Sequence, residues 1–297
     1  MFKHKPAWYM IVLVSVLALG LMGCPAEEEE VEVEEGVDEV ATHYEGARIG
    51  LVVPEYVDID SIEELNDHVD EFGGEIEGID PGAGIMAATE DAIPEYELDY
   101  DLVEGSDASM TAELTSAYEE EEWIVVTGWT PHWKFDQFDL KFLEDPDNVY
   151  GEAEYIGNIA RMGLEEDMPG VYSFLENFYW DDEEIGFVMG EIADGVGELE
   201  AAQNFIDEHP DIVDEWTAEL PEGEGQEVEI VYVEWECAIA STHTAKAVLQ
   251  DMGYEVDITP VDAGVMWSSL YDGDNDFAVC AWLPLTHGDY AEEYDLQ

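Results

Sequence analysis

The sequence predicts an α/β protein built as two lobes of similar size. Three observations carry that prediction. Short apolar runs alternate with amphipathic stretches from about residue 47 onward, the pattern of strands alternating with helices. The alternation comes in two sets, with a changeover near residues 160–168. Hydrophobic residues make up 46% of the 297 positions, enough apolar surface for two cores.

Taken in order, Arg48 to Val53 reads as a buried strand that Pro54 stops. Ser61-Ile62-Glu63-Glu64 is a capping box that opens a short helix. Ile76 to Ile79 is a second strand, and Asp80-Pro81-Gly82-Ala83-Gly84 turns from it into a helix. Leu102-Val103, a helix from Ser109 to Glu119 and the strand Trp123 to Val126 complete the first set. Residues 136–160 are rich in aromatic and acidic side chains and give few clear periodicities. The second set opens near residue 168. It holds helices around 170–178 and 182–193 and one long amphipathic helix over about 198–219. After the loop Pro221 to Gly225, the pattern predicts strands at Val228 to Val233, Tyr254 to Ile258 and Phe277 to Ala281. Helices at Ile239 to Met252 and Gly264 to Tyr271 lie between them.

The segment before these sets reads as an address. Lys3 and Lys5 precede a largely apolar stretch from Trp8 to Met22, too short for a comfortable membrane span. Its ending, Leu21-Met22-Gly23-Cys24, resembles the bacterial lipobox. The expectation is a lipoprotein signal peptide over 1–23 and lipid attachment at Cys24, which anchors the chain to the outer face of the cell membrane. An ordinary secretory signal is the alternative. A Glu/Val-rich acidic tether is expected over 24–45, lobe I over 46–165 and lobe II over 166–297.

The charge is extreme. Seventy-six acidic residues face 7 basic ones, a formal net of −69. Such a chain repels nucleic acid and anionic lipid, so no nucleic-acid partner is expected. It suits a saline medium, where molar salt shortens the Debye length to roughly 3 Å. The chain has no Gly-x-Ser-x-Gly, phosphate loop, His-Glu-x-x-His or dinucleotide fingerprint. The expectation is a protein that is not an enzyme and takes no cofactor or metal. Cys237 and Cys280 do not have zinc-site spacing and are either paired or buried as thiols.

The informative feature is the placement of tryptophan. Trp129, Trp235 and Trp282 each follow closely on an inferred strand, and ligands of open α/β sheets bind at the carboxyl ends of strands. Three such rings suit a quaternary ammonium group. That group has no N–H to donate and is held by aromatic faces, at roughly 0.5–2 kcal/mol per ring when desolvated. The glycines of Asp80 to Met86 allow backbone N–H groups to approach an anion at a helix N-terminus. His287, five residues after Trp282, is a candidate side-chain donor.

Several of these segments resemble one family. They are Gly78-Ile79-Asp80-Pro81-Gly82-Ala83-Gly84-Ile85-Met86, Val126-Thr127-Gly128-Trp129-Thr130-Pro131-His132-Trp133 and Ala281-Trp282-Leu283-Pro284-Leu285-Thr286-His287-Gly288-Asp289-Tyr290. Leu143-Glu144-Asp145-Pro146 and Glu234 to Ser241 add to the likeness, which covers about residues 47–293. They resemble the glycine betaine binding proteins of quaternary-amine ABC importers. The resemblance implies a type II periplasmic-binding-protein fold with ligand in the interlobe cleft, working with an ABC permease and its ATPase. It implies a three-tryptophan prism at Trp129, Trp235 and Trp282. It also implies a carboxylate held by the N–H groups of Gly84 and Ile85 and by His287. Glycine betaine is the expected ligand, with proline betaine, choline and carnitine as alternatives. An outer-surface two-domain hydrolase or transferase is the alternative of a different class. One departure stands out: the Arg48 to Tyr56 segment follows the His-Gly-Asp-Tyr segment in that family and precedes it here. Such a circular permutation leads to the expectation that each lobe is contiguous and that one chain crossing remains near 160–168.

Overall fold

In the computed structural model, residues 36–218 and 220–297 are described. The expected signal peptide, Cys24 and most of the expected tether lie outside the described residues. The organising element is β1 (Val37–Pro54), an 18-residue strand that runs through two sheets. Its second half, Arg48 to Pro54, pairs antiparallel with β4 (Val126–Thr130) and β5 (Leu140–Phe142). This half carries Leu51-Val52-Val53, wholly buried because the sheet is covered on both faces. The first half pairs antiparallel with β6 (Glu154–Arg161) through three register shifts. Gly46, at φ +83°, sits where the strand passes from one sheet to the other, a backbone conformation natural to glycine.

In the first lobe, β2 (Glu75–Glu77) runs parallel to β3 (Asp101–Val103) and to β4, giving the order β3-β2-β4-β1. A 3-10 helix over Ile62–His68 carries the capping box at Ser61 and Glu64. Three helices complete this lobe: α1 (Gly84–Glu95), α2 (Asp107–Glu120) and the single turn α3 (Lys134–Gln137). The second lobe has the order β1-β6-β9-β7-β8, with β7 (Glu227–Tyr232), β8 (Glu255–Pro260) and β9 (Phe277–Leu283). Its helices run α4 (Leu164–Asp167), α5 (Pro169–Asn177), α6 (Asp182–Ala193), α7 (Glu198–Glu208) and α8 (Pro210–Trp216). They continue with α9 (Glu236–Asp251), α10 (Ala263–Tyr271) and α11 (Gly288–Glu293).

Four expectations need correction. The chain crosses between the sheets twice, within β1 near residue 47 and again between β5 and β6, not once near 160–168. The 46–165 and 166–297 boundaries fail for the same reason, because β6 pairs with β9 of the second sheet. Residues 37–45, assigned to the tether, form strand, since their backbone groups pair with β6. The single helix over 198–219 is two, broken at His209 where Pro210 has no N–H to continue the ladder and instead opens α8. The first and last described segments are neighbours: Gln297 N–H donates to Val37 O at 2.9 Å and Glu39 N–H donates to Gln297 O at 3.1 Å.

The second lobe buries an aromatic cluster of Phe174, Phe178, Trp180, Phe205 and Trp216 around His43. His43 Nε2 accepts the Trp180 indole N–H at 2.9 Å while Nδ1 faces Phe178 O at 3.2 Å, so the ring is neutral with its proton on Nδ1. Burial lowers its pKa to about 4. The unfolded chain therefore binds a proton that the folded one excludes between about pH 6.5 and 4, and stability is lost as pH falls through that window. In molar salt, the unfolding free energy should drop on acidification from pH 6.5 to 4.5, by up to about 1.4 kcal/mol per pH unit for each such histidine. Denaturant titrations across that range test this, and stability that holds or rises on acidification contradicts it.

Candidate functional site

A small cavity of about 20 Å³ lies where the lobes meet. The first lobe supplies Ile49, Ile79, Ala83, Gly84, Ile85 and Trp129 to its wall, and the second supplies Trp235, Trp282 and Thr286. Five of the six expected ligand-site residues thus line one cavity. The sixth, His287, stands behind it, its ring 5.7 Å from that of Trp235.

Each tryptophan reaches the cavity by a different local device. Trp129 is the penultimate residue of β4, opposite Ile49 of β1. Trp282 is the penultimate residue of β9, opposite Ile156 of β6. Trp235 lies beyond β7 at the N-cap of α9, in extended conformation at φ −96° and ψ 144°. The strand-end placement therefore holds, although Trp129 and Trp282 lie just inside their strands rather than after them. All three rings are buried, and none of their indole N–H groups has an acceptor in the protein. Walls from two sheets surround one small apolar space, an arrangement that presents ring surface rather than hydrogen bonds.

The opposite character appears at the start of α1. Ala83 is its N-cap with no side-chain cap, so Gly84 and Ile85 are the first two helical residues. Their N–H groups have no intrahelical acceptor, and the helix dipole adds partial positive charge there. Gly84 also permits the lobes to meet, because a Cβ at that position would stand 2.2 Å from Thr286 O. His287, behind the cavity, carries a side-chain donor. Its Nδ1 accepts the Trp282 backbone N–H at 3.2 Å, which places the ring proton on Nε2. That Nε2 is buried without a partner, and burial lowers the pKa to about 3, so the ring is a neutral donor.

Sequence reasoning missed two polar groups that hold these residues. Glu154, at the start of β6, accepts the N–H groups of Leu285 and Thr286 at 2.7 and 2.8 Å and the Thr286 hydroxyl. It thereby fixes the loop between Trp282 and His287. The second group is Asp107, His132 and Lys134, all buried. His132 Nδ1 accepts the Lys134 backbone N–H at 3.1 Å, leaving Nε2 to donate to Asp107 Oδ1 at 3.1 Å. Burial, aided by the Lys134 charge, lowers the His132 pKa to about 4. Burial alone raises the Asp107 carboxyl, but His132, Lys134 and the Glu236 N–H together hold it below its usual range. Lys134 Nζ lies 3.9 Å from the centroid of Trp129, and burial lowers its pKa to about 8. Lys134 is one of only 7 basic residues, and its position inside an aromatic motif was the available signal. Asp107 and Glu154 gave none, being two carboxylates among 76.

Cys237 and Cys280 are free, buried thiols, pushed upward in pKa by burial, Cys280 to about 12. Among the described residues, no group of three or more His, Cys, Asp or Glu side chains is arranged to hold a metal ion.

Comparison with known proteins places this geometry. Residues 24–208 and 226–297 match the family model described as the substrate binding domain of an ABC-type glycine betaine transport system. The glycine betaine/carnitine transport binding protein GbuC of Listeria monocytogenes serotype 1/2a (strain 10403S) is 47% identical over 222 residues, 74% of each chain. Lactococcal OpuAC, solved in a closed conformation complexed with glycine betaine, is 40% identical with a TM-score of 0.58. That match covers 61% of this chain and 71% of the other. The glycine betaine/L-proline-binding protein ProX of Borrelia burgdorferi is 39% identical with a TM-score of 0.59, over 62% and 71% of the two chains.

Proposed function

The chain belongs to the family of substrate-binding domains of ABC-type glycine betaine transport systems, and from that premise we propose that it captures glycine betaine itself between its lobes. The observation that carries the reading is the single cavity walled by Trp129, Trp235 and Trp282 from both lobes, with the N-terminus of α1 on its rim. In this reading the trimethylammonium group rests among the three indole faces. The carboxylate takes the N–H groups of Gly84 and Ile85 and the Nε2–H of His287. A zwitterion suits the electrostatics: the rings answer its cation, and neutral donors answer its anion without a buried counter-charge. Carnitine, named for the Listeria relative, is the second ligand reading. The small cavity, pinched where Gly84 meets Thr286, favours the shorter betaine.

Members of this family act outside the cytoplasm and deliver to a permease driven by an ATPase. Among the described residues no helix is long and apolar enough to cross a membrane. Lipid attachment at Cys24 is part of the proposal and rests on the Leu21-Met22-Gly23-Cys24 sequence. A receptor role without catalysis is supported by the absence of a recognisable nucleophile motif. A saline habitat is supported by the net charge of −69. The permuted segment order is supported by the pairing of residues 37–39 with 296–297.

Tryptophan fluorescence titrated with glycine betaine in molar salt tests the reading. A saturable change is expected, weakened about tenfold or more by Trp129→Ala, Trp235→Ala or Trp282→Ala. No response to any betaine would overturn it. Gly84→Ala should leave the lobes folded yet weaken binding by about tenfold or more, because the added methyl meets Thr286 O. Unchanged affinity together with an unchanged melting temperature would show that the loop yields.

A further inference from the structure

We infer that Asp107 is a positioning residue, an interlobe latch whose carboxylate caps α9 across the cleft and thereby ties lobe closure to the placement of Trp235. The inference rests on the proposed ligand reading for its function, though not for its geometry. Asp107 belongs to the first lobe, as the first residue of α2. One of its oxygens, Oδ1, is taken on its own lobe by His132 Nε2 at 3.1 Å and by the Thr111 hydroxyl at 3.2 Å. The other, Oδ2, accepts the backbone N–H of Glu236 at 3.1 Å, from the second lobe.

The position of that acceptor is what matters. Glu236 is the first residue of α9, and Trp235, its N-cap, provides no side-chain cap of its own. Helix first-turn N–H groups need an acceptor from elsewhere, and a carboxylate at that end is favoured by the helix dipole. Here the acceptor comes from the opposite lobe. The bond also joins the supports of two box rings. On one side His132 packs edge-on against Trp129, centroids 5.1 Å apart. On the other, Trp235 is the residue immediately before the capped N–H. Lys134, buried against Trp129, supplies positive charge to the same carboxylate. Separating the lobes breaks the Asp107–Glu236 bond and leaves the His132 and Thr111 bonds intact, so the charge-assisted contact distinguishes the closed state.

Glu236→Pro offers a direct cut. Proline is accommodated at a first helical position and lacks the N–H, and Trp235 at ψ 144° already has the conformation proline requires before it. Glu236→Ala is the matched reference, since it removes the side chain and keeps the donor. Glycine betaine dissociation is followed by stopped-flow fluorescence in both variants, each with and without Asp107→Ala, alongside melting of the ligand-free proteins. With Asp107 present, Glu236→Pro should release ligand about tenfold or more faster than Glu236→Ala. In the Asp107→Ala background the two should release at the same rate, and the ligand-free melting temperatures of each pair should agree. Equal rates with Asp107 present, or a ratio that persists without it, overturn the latch. If the wild-type chain binds no betaine, the ligand reading fails separately. Hydrogen exchange at the Glu236 amide then decides the latch. Protection lost in Asp107→Ala upholds it, and no protection in either protein ends it.

Discussion

A quaternary ammonium group has no hydrogen to donate, so a protein holds it by surrounding it with surface, and surface on several sides needs walls from more than one element. Under the proposed function, this constraint accounts for a site between lobes rather than within one. Trp129 is fixed in the first sheet, Trp282 in the second, and Trp235 at the head of a helix on the second. No single sheet edge offers three ring faces around one space. The remainder of the fold follows from bringing two sheets together repeatedly and in register. β1 takes part in both, so the two sheets share one continuous strand.

Electrostatics near the site run against the composition. The chain carries a net charge of −69, yet the groups around the cavity are neutral rings, backbone N–H groups and neutral histidine. The buried Lys134 lies against Trp129, and the carboxylate nearest to it, Asp107, is fully engaged by donors. In the proposed reading, a loose carboxylate inside would compete with the ligand's own anion for the N–H groups of α1. Glu154 avoids that competition by having its oxygens occupied by the Leu285–Thr286 loop. Most of the remaining acidic residues face solvent, where salt screens them.

What was legible in the sequence were features with a local signature. The three tryptophans stood out because each follows an apolar strand run, and the Asp80 to Gly84 turn because it must end a strand and open a helix. His287 was legible as a position but not as a state. Its tautomer is set by the Trp282 N–H, a contact that exists only once the loop has folded. β6 was not legible, since its buried face is read from pairing with β1 and β9 on either side rather than from alternation along 154–161. The first half of β1 was misread because its Glu/Val composition matches a solvated tether. Only long-range pairing to β6 shows otherwise. Asp107 was hidden by abundance, as any one carboxylate is in a chain with 76 acidic residues.

The two chain crossings sharpen how such a molecule opens. One lies within β1 at Gly46, and the other follows β5 near Gly151; these glycines have φ of +83° and +75°. Both crossings therefore place a residue without Cβ in the left-handed region, where the backbone rotates at little steric cost. At Gly151 a Cβ would stand 2.4 Å from Leu285 Cδ1 of the facing lobe, the tip of a half-exposed side chain that can move aside. At Gly84 the added atom would instead meet backbone, Thr286 O of the facing lobe. Gly46 and Gly151 thus suit the turns of the chain at the crossings, while Gly84 allows the opposed surfaces to touch. A one-crossing arrangement would leave the lobes free to swivel about a single strand. Two crossings restrict that freedom, because the sheet carrying Trp129 is tied to the sheet carrying Trp282 at two points of the chain. Restricted relative freedom of two binding surfaces in general lowers the ordering cost of binding. In the proposed reading, that saving adds to what a few ring faces and backbone donors contribute toward holding a small ligand.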